Sequence, residues 1–394
     1  MQTTHHVDSR QFFLDWVRIL AFFVLIFYHV GMYYVTWDWH VKSVNASNAI
    51  EPLMKLSAPW RLGLLFLVSG VASRWMLNKF SVGSFIRQRS MRLLIPLVFG
   101  MLVVTPPQAF IEAVEQAGYQ GNYFGFMKLY LQAYHGFCDK DGCLDLPTWN
   151  HLWFIPYLWC YSLLLAGLLL GLGKHFESLE NFLGRHLIGW KLLVFPTLLL
   201  ALIRIFLANR FPTTHDLVDD WFNHANSLTL FLLGALLARQ THFWIRFDTS
   251  RWALLGTALA CWALALIFDV WPDDRWPATP FPIWGKLYHL IYSLCQWSAI
   301  GAACGFAHRH LHFDSPKRRY LTQAVLPLYI LHQTFIVVFA YVLKPAALTP
   351  GIEAMVLIVL TMTCSFALFE MVRRVPALQP LFGLRADKIL ALKA

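Results

Sequence analysis

The sequence predicts an all-α integral membrane protein, a single domain over residues 1–394 that folds as a bundle of about ten transmembrane helices. Of its 394 residues, 58% are hydrophobic and only 14% are charged, and the mean hydropathy is +0.51. A soluble protein carries about 25% charged residues. Apolar runs recur from residue 12 to residue 372, and no segment between them is long enough for a separate soluble domain.

Ten apolar windows of about 20 residues define the predicted spans, because that length of helix crosses the hydrocarbon core of a bilayer. The windows cover residues 12–35, 60–77, 92–112, 151–173, 189–208, 219–239, 251–271, 284–307, 321–343 and 351–372. The third window contains Pro96, Pro106 and Pro107. These prolines predict irregular backbone there, which a membrane tolerates only where it is buried in protein or lines a cavity.

The Lys and Arg residues predict which side of the membrane each loop faces. With the N-terminus in the cytoplasm, the 32 basic residues fall on the cytoplasmic and outer sides in a two-to-one ratio, in agreement with the positive-inside rule. We therefore expect both termini to be cytoplasmic, in a bacterial inner membrane, with the lipid bilayer as a partner. The basic residues are dispersed between apolar runs, so the net charge of +10 does not indicate nucleic-acid binding.

This orientation places the longest loop, residues 113–150, in the periplasm. The loop contains Cys138 and Cys143 on either side of an Asp-Gly turn, and an oxidising compartment would allow them to form a disulfide. Two free thiols are the alternative. The loop is a candidate lid or substrate-binding element. No pair of cysteines has the CxxC spacing of a zinc site, and we expect no metal.

The first predicted helix carries three ionisable residues, Asp15, Arg18 and His29. Charged groups within a span are costly and normally face a cavity or a partner. Arg18 and His29 are eleven residues apart, which returns to nearly the same helix face about 16 Å further along the axis. Asp15 can pair with Arg18 at the i,i+3 spacing. The alternative is an interfacial ion pair and a core histidine without a catalytic role.

A second basic group precedes the third span, where Arg89 and Arg92 share a helix face at the predicted cytoplasmic end. Arginine side chains bind phosphate through two parallel hydrogen bonds, so this pair suits a phosphorylated substrate that arrives from the cytosol. Ordinary positive-inside topology is the alternative for both residues.

Three further polar residues are candidates for substrate binding. Ser69 lies in the short second span beside two glycines, which would allow a close approach of helices. His151 begins the fourth span, and His332 lies in the middle of the ninth. A histidine within the membrane is a functional candidate, and a hydrogen-bonded core histidine is the alternative.

An ordered set of motifs resembles the bacterial membrane acyltransferase-3 family. The set comprises Arg18 and His29 with ten residues between them, FLVSG, the Arg89–Arg92 pair before Pro96, HLWFI and LYILHQ. The resemblance covers nearly the whole chain. The segments FFLDWVRI, WHVKS and RVPALQPLF look most like the branch of osmoregulated periplasmic glucan succinyltransferases.

This resemblance implies a membrane enzyme that takes an acetyl or succinyl group from cytosolic acyl-CoA and transfers it to a carbohydrate hydroxyl of an envelope glycan. His29 would be the catalytic histidine, Arg18 its partner, and Arg89 and Arg92 the family's arginine pair. Acyl-CoA would be a substrate, and no cofactor is expected. A succinyl carboxylate would require a further cation, for which Arg61 and Arg204 are candidates.

His29 could act as a general base or form an acyl-histidine intermediate. The alternative function is a multi-span transporter or exporter of a small metabolite or polysaccharide, which the composition fits equally well. The absence of an internal repeat and the shared face of Arg18 and His29 favour the enzyme.

Overall fold

A computed structural model describes residues 11–139, 142–271 and 283–384. Every regular element in these ranges is helical, as predicted. The α-helices are α1 Phe12–Met32, α2 Glu51–Ser57, α3 Arg61–Lys79, α4 Val82–Phe99, α5 Pro106–Glu115, α6 Tyr123–Leu131, α7 Phe154–Leu172, α8 Lys174–His186, α9 Lys191–Ile203, α10 Trp221–Leu237, α11 Thr241–Val270, α12 Ile283–His310, α13 Pro316–Leu343 and α14 Pro350–Arg374.

Eight helical stretches among the described residues are long and apolar enough to cross a membrane, and the count is nine when the bent pair Val82–Val104 and Pro106–Glu115 is taken as one span. The chain is a multi-pass membrane protein. The predicted span 219–239 corresponds to α10, whose 17 residues extend about 25 Å, less than the roughly 30 Å of a hydrocarbon core. The count of ten is therefore not confirmed. Both termini lie outside the described residues, and their orientation stays a prediction.

The third span is irregular, as its prolines predicted. α4 contains Pro96 and continues into a π-helical segment, Gly100–Val104. The chain then bends by 40° before α5, which begins at Pro106. Thr105 at the bend is fully buried, and its hydroxyl donates to the carbonyl of Thr148 at 2.9 Å. Protein atoms thus surround the bend.

Two glycines bring α3 and α10 into backbone contact. A Cβ atom on Gly70 would lie 1.9 Å from the carbonyl oxygen of Phe231, and one on Gly234 would lie 2.0 Å from that of Leu67. The two positions are reciprocal, each fitting against the other helix. This confirms the close helix approach predicted for the segment around Ser69, and it positions the N-terminal end of α3 inside the bundle.

The loop between α5 and α7 forms a small layer of its own. Cys138 and Cys143 are joined by a disulfide and pair as an antiparallel β-bridge. Phe126 and Tyr130 of α6 pack with Phe137 and Leu146 in a separate hydrophobic cluster. This cluster holds the end of the loop, residues 144–149, against the bundle.

Substituting Gly70 by Ala should destabilise the protein, because the added methyl group meets backbone atoms that cannot rotate away. Overpacking of this kind costs about 1–3 kcal/mol. Gly256→Ala is the matched control, since nothing lies within 4 Å of a Cβ there and replacing a helical glycine stabilises by about 0.5–1 kcal/mol. Thermal unfolding in detergent should show a lower Tm for Gly70→Ala and an equal or higher Tm for Gly256→Ala. Equal decreases would contradict the tight α3–α10 contact.

Candidate active site

A cavity of about 500 Å³ lies beside the C-terminal end of α1. His29 reaches it from α1, Arg61 from the start of α3, His151 from the short 3-10 turn before α7, and Gln333 from α13. The long loop also lines it, through Leu144, Asp145, Thr148 and Trp149. The predicted site residues His29 and His151 therefore share one cavity although 122 positions separate them in the sequence.

Three histidines meet beside this cavity: His29 and His151 line it, and buried His332 contacts both of them. His29 Nδ1 lies 2.8 Å from His332 Nε2, and the two rings are nearly coplanar, with an interplanar angle of 5°. The rings of His151 and His332 are 5.2 Å apart and perpendicular. His332 is fully buried, whereas His29 is half-buried. The structure thus brings together the three histidines that the sequence singled out separately.

The hydrogen bonds determine which nitrogen of each ring carries the proton. His332 Nδ1 contacts the carbonyl oxygens of Tyr329 at 2.8 Å and Leu328 at 3.2 Å. Carbonyl oxygens only accept, so His332 Nδ1 donates, and the Nε2 of a neutral His332 accepts from His29 Nδ1–H. The lone pair of a neutral His29 is then on Nε2, which has no hydrogen-bond partner among the described residues.

His151 is held in the same way. Its Nε2 donates to the carbonyl oxygens of Tyr329 at 3.1 Å and Ile330 at 3.2 Å, while its Nδ1 accepts from the Gln108 amide at 3.4 Å. The hydroxyl of Tyr329 donates back to the His151 carbonyl. Because both ring nitrogens are occupied, His151 positions its neighbours and has no nitrogen free to act as a base.

A polar chain runs from these histidines to a fourth histidine, His40. Gln108 accepts from the Gln333 amide at 3.2 Å, and that amide also donates to Nε2 of the neutral His40 ring at 2.9 Å. His40 Nδ1 lies 2.5 Å from the carboxylate of Glu112. Burial opposes the charged form of His40, but the Glu112 carboxylate outweighs this effect, so the pKa of His40 is raised above its ordinary value.

The cavity wall is also aromatic and acidic. Trp39, Trp149 and Trp153 line it, and three exposed carboxylates mark its open side. The carboxylates are those of Asp38, Asp145 and Asp216. Indole rings and carboxylates are suited to a polar substrate with apolar faces, since rings can stack while oxygen atoms accept hydrogen bonds.

His215, in the loop after α9, contacts two of these tryptophans and holds the loop beside the cavity. Its ring stacks on Trp153 with centroids 4.2 Å apart, and its carbonyl accepts from Trp149 Nε1 at 3.1 Å. Burial lowers the pKa of His215 to about 4, so the ring is neutral at pH 7. The buried carboxylate of Asp220 accepts from the backbone N–H of His215 and from the hydroxyl of Tyr157, which fixes the loop.

A second cavity, of about 380 Å³, lies at the opposite end of α3. Arg87, Arg89 and Arg92 line it, together with Pro380, Gly383 and Leu384 from the segment after α14. The cavity touches α3 at Met76, whereas the histidine cavity touches it at Leu62. Fourteen residues of helix correspond to about 21 Å. The predicted arginine pair therefore shares one pocket, separated from His29 by most of the bundle.

Ser69 is linked to this arginine pocket indirectly. Its carbonyl accepts from the hydroxyl of Ser73 at 2.8 Å, and Ser73 in turn accepts from Arg89 Nη2. Ser69 lines neither cavity.

Asp15 and Arg18 pair as the i,i+3 spacing predicted, with 3.7 Å between Arg18 Nη2 and Asp15 Oδ1. Asp15 also binds Arg318 of α13, a buried arginine that sequence reasoning missed. Neither Asp15 nor Arg18 lines the histidine cavity. In the structure, Asp15 therefore joins α1 to α13 through its ion pair with Arg318.

Several residues of the site were missed from the sequence. His40 and Gln333 line the cavity, and Glu112 contacts His40. Each has a polar side chain in or beside an apolar segment, but nothing in their spacing connects them. Arg61 was considered only as a possible counter-ion. Arg204, considered with it, stacks on Tyr292 at 3.9 Å and does not line the histidine cavity. Among the described residues, no cluster of His, Cys, Asp and Glu side chains converges as metal ligands do.

The fold and the site define a multi-pass membrane protein with a cavity lined by histidines at one end of the bundle and an arginine pocket at the other. The chain belongs to the acyltransferase-3 family. The sequence model of that family, described as an acyltransferase domain, matches residues 11–370. The protein is accordingly an acyltransferase, as the motifs predicted.

Among curated proteins, the chain is similar to glucans biosynthesis protein C from Escherichia coli strains K12, SMS-3-5 and O81 ED1a. Each is 24% identical over 383 residues, which cover 95% of this chain and 94% of the relative. No solved structure matches the chain.

The His40–Glu112 pair predicts a pH-dependent contribution to stability. Because the pKa of His40 is raised in the folded state, the contribution is fully present below the unfolded value of about 6.5 and is lost as pH rises through the raised pKa. Glu112→Gln should therefore lower the free energy of unfolding by about 1–3 kcal/mol at pH 5.5 and by less at pH 9. The measurement is the decrease in Tm at each pH, which should be larger at pH 5.5.

Glu115→Gln is the control for this experiment. Glu115 lies on the same helix and pairs with Lys344, and lysine ammonium groups stay charged over this range. Its effect on Tm should therefore be the same at both pH values. A Glu112→Gln effect that is independent of pH would show that His40 carries no extra proton in the folded state.

Proposed function

We propose that this protein transfers an acetyl or succinyl group from cytosolic acyl-CoA to a hydroxyl of an envelope or periplasmic glycan, at the outer face of the bacterial inner membrane. The observation that carries the proposal is the hydrogen-bonded pair His29–His332, which leaves His29 Nε2 free beside a 500 Å³ cavity. Membership of the acyltransferase-3 family supplies the type of reaction.

The arginine pocket supports acyl-CoA as the donor. Guanidinium groups bind phosphate groups through paired hydrogen bonds, and three arginines line this pocket. The predicted orientation puts the pocket on the cytoplasmic side. The phosphates of CoA would bind there, and its extended arm would run along α3 and carry the thioester towards His29.

The open side of the histidine cavity supports a glycan acceptor. The half-buried ring of Trp149 can stack on the apolar face of a sugar, and the exposed carboxylates can accept hydrogen bonds from sugar hydroxyls. The relatives named above are glucans biosynthesis proteins, which makes a glucan the first acceptor to test. The predicted orientation places this opening in the periplasm.

In the proposed reaction His29 Nε2 accepts the proton of the acceptor hydroxyl while the oxygen attacks the thioester carbonyl. The tetrahedral intermediate then expels the CoA thiolate, which takes the proton from the His29 imidazolium. His332 accepts from His29 Nδ1–H throughout and favours the charged ring, as the orienting group does in a catalytic triad. No cofactor is required, since acyl-CoA is a substrate.

A covalent route uses the same geometry. His29 Nε2 would attack the thioester, release CoA and form an acyl-imidazole, which the acceptor hydroxyl would then cleave. Labelled acyl groups would remain on the protein in the absence of acceptor on this route and not on the general-base route.

His29→Ala should reduce acyl transfer by the purified protein in detergent by at least about 10²-fold, because general-base catalysis contributes about 10²–10⁴-fold. Release of free CoA thiol measures the rate. His289→Ala is the matched control, since His289 is also half-buried in a helix but does not line the histidine cavity. Wild-type activity in His29→Ala would refute the catalytic assignment.

Arg89→Ala and Arg92→Ala should each weaken CoA binding about tenfold or more, because each removes hydrogen bonds to a charged group. Titration of CoA by calorimetry measures the Kd. Arg246→Ala is the control, since Arg246 is an exposed arginine outside the pocket. If the Kd for CoA is unchanged in both pocket variants, the donor binds elsewhere.

A further inference from the structure

Arg61 is a buried cation in the wall of the histidine cavity that the proposed acid–base chemistry does not use. It is the first residue of α3, only 7% exposed, and lines the cavity together with His29. Its guanidinium carbon lies 3.3 Å above the ring centre of Tyr28. The Tyr28 and His29 rings are 6.1 Å apart, so one tyrosine separates the cation from the base.

Among the described residues, the guanidinium of Arg61 has no anionic partner. Its Nε and Nη1 atoms are buried without a hydrogen bond, and it forms no ion pair with a carboxylate of the described residues. A buried cation is costly unless it is paired and hydrogen-bonded. Its position at the N-terminal end of a helix adds to this cost, because the helix dipole there favours an anion.

Stacking on Tyr28 does not replace the missing anionic partner. It uses the flat face of the guanidinium, while the N–H groups lie in its plane and match the two oxygens of a carboxylate. The buried arginines Arg74 and Arg318 illustrate the usual solution, since each binds a carboxylate of the protein. Among these three arginines, Arg61 alone faces the reaction cavity.

We propose that Arg61 binds the free carboxylate of a dicarboxylic acyl group, such as succinyl, while the thioester of that group lies beside His29. This inference rests on the proposed acyl transfer and assigns its acyl specificity to one side chain. We assign the carboxylate to the acyl group because that group must lie beside His29 in the proposed reaction, and Tyr28 links buried Arg61 to His29. The residues that suit an acceptor line the opening of the cavity.

Two other roles for Arg61 predict different effects on acyl selectivity. A cation that stabilised the oxyanion of the tetrahedral intermediate would serve every acyl group equally. A cation that only anchored α3 on Tyr28 would affect stability and leave acyl selectivity unchanged. Selectivity between a charged acyl group and a neutral group of the same length therefore distinguishes the three roles.

The experiment compares succinyl-CoA with butyryl-CoA, whose acyl chain has the same number of carbons but no carboxylate. Free thiol release by the purified full-length protein is measured with and without a glucan oligosaccharide. Wild type should prefer succinyl-CoA. Arg61→Gln should lower the ratio of kcat/KM for succinyl-CoA to that for butyryl-CoA about 10- to 100-fold, since it removes hydrogen bonds between charged groups.

Two further variants test the charge and its position. Arg61→Lys should recover part of the ratio, because lysine keeps the charge but not the paired hydrogen bonds. Arg204→Gln should keep the wild-type ratio, since Arg204 is also stacked on a tyrosine but lies outside the cavity. The same selectivity change without glucan would place the carboxylate on the donor.

The outcomes separate this inference from the function on which it rests. A wild type that releases no thiol and transfers no acyl group from either donor would overturn the proposed function. An active wild type whose selectivity is unchanged in Arg61→Gln would overturn the role of Arg61 alone. An equal decrease with both donors would also overturn it, in favour of oxyanion stabilisation.

Discussion

The hydrogen bond between His29 and His332 is the interaction on which the rest of the site depends. It joins α1 to α13 across 303 residues of sequence, and its direction follows from backbone carbonyls that can only accept. In water two imidazoles would exchange protons and partners freely. Buried among helices, the pair has one arrangement that satisfies every donor, and that arrangement leaves a lone pair facing the cavity.

Much of the surrounding structure maintains this arrangement. Tyr329 supplies a carbonyl to both His332 and His151, and its hydroxyl returns to the His151 backbone. The reciprocal glycines of α3 and α10 allow α3 to pack deeply, and the first turn of α3 carries Arg61 to the cavity. A membrane provides no water to satisfy buried polar groups, so each polar residue in the wall needs a protein partner or a substrate.

The two cavities divide the proposed reaction between the ends of the bundle. Arginines at one end suit phosphate, and a neutral base at the other suits a hydroxyl. The separation of about 21 Å along α3 means that a donor must span the bundle to bring its thioester to His29. An extended donor with phosphates at one end and a thioester at the other has this form, and it lets an acyl group cross while the phosphates stay on the entry side.

The sequence alone determined the class of fold, the irregular third span, the pairing of Asp15 with Arg18, and the three histidines as candidates. These follow from hydropathy, proline chemistry and helical periodicity, which act within one segment. Only the tertiary structure decided that His29 and His332 share a hydrogen bond, that Asp15 also binds Arg318, and that Arg61 faces the cavity while Arg204 does not. All membrane-spanning helices have largely apolar surfaces, so hydropathy does not say which helices are neighbours. The arrangement of helices depends on close packing between their surfaces, which the hydropathy pattern of the sequence does not encode.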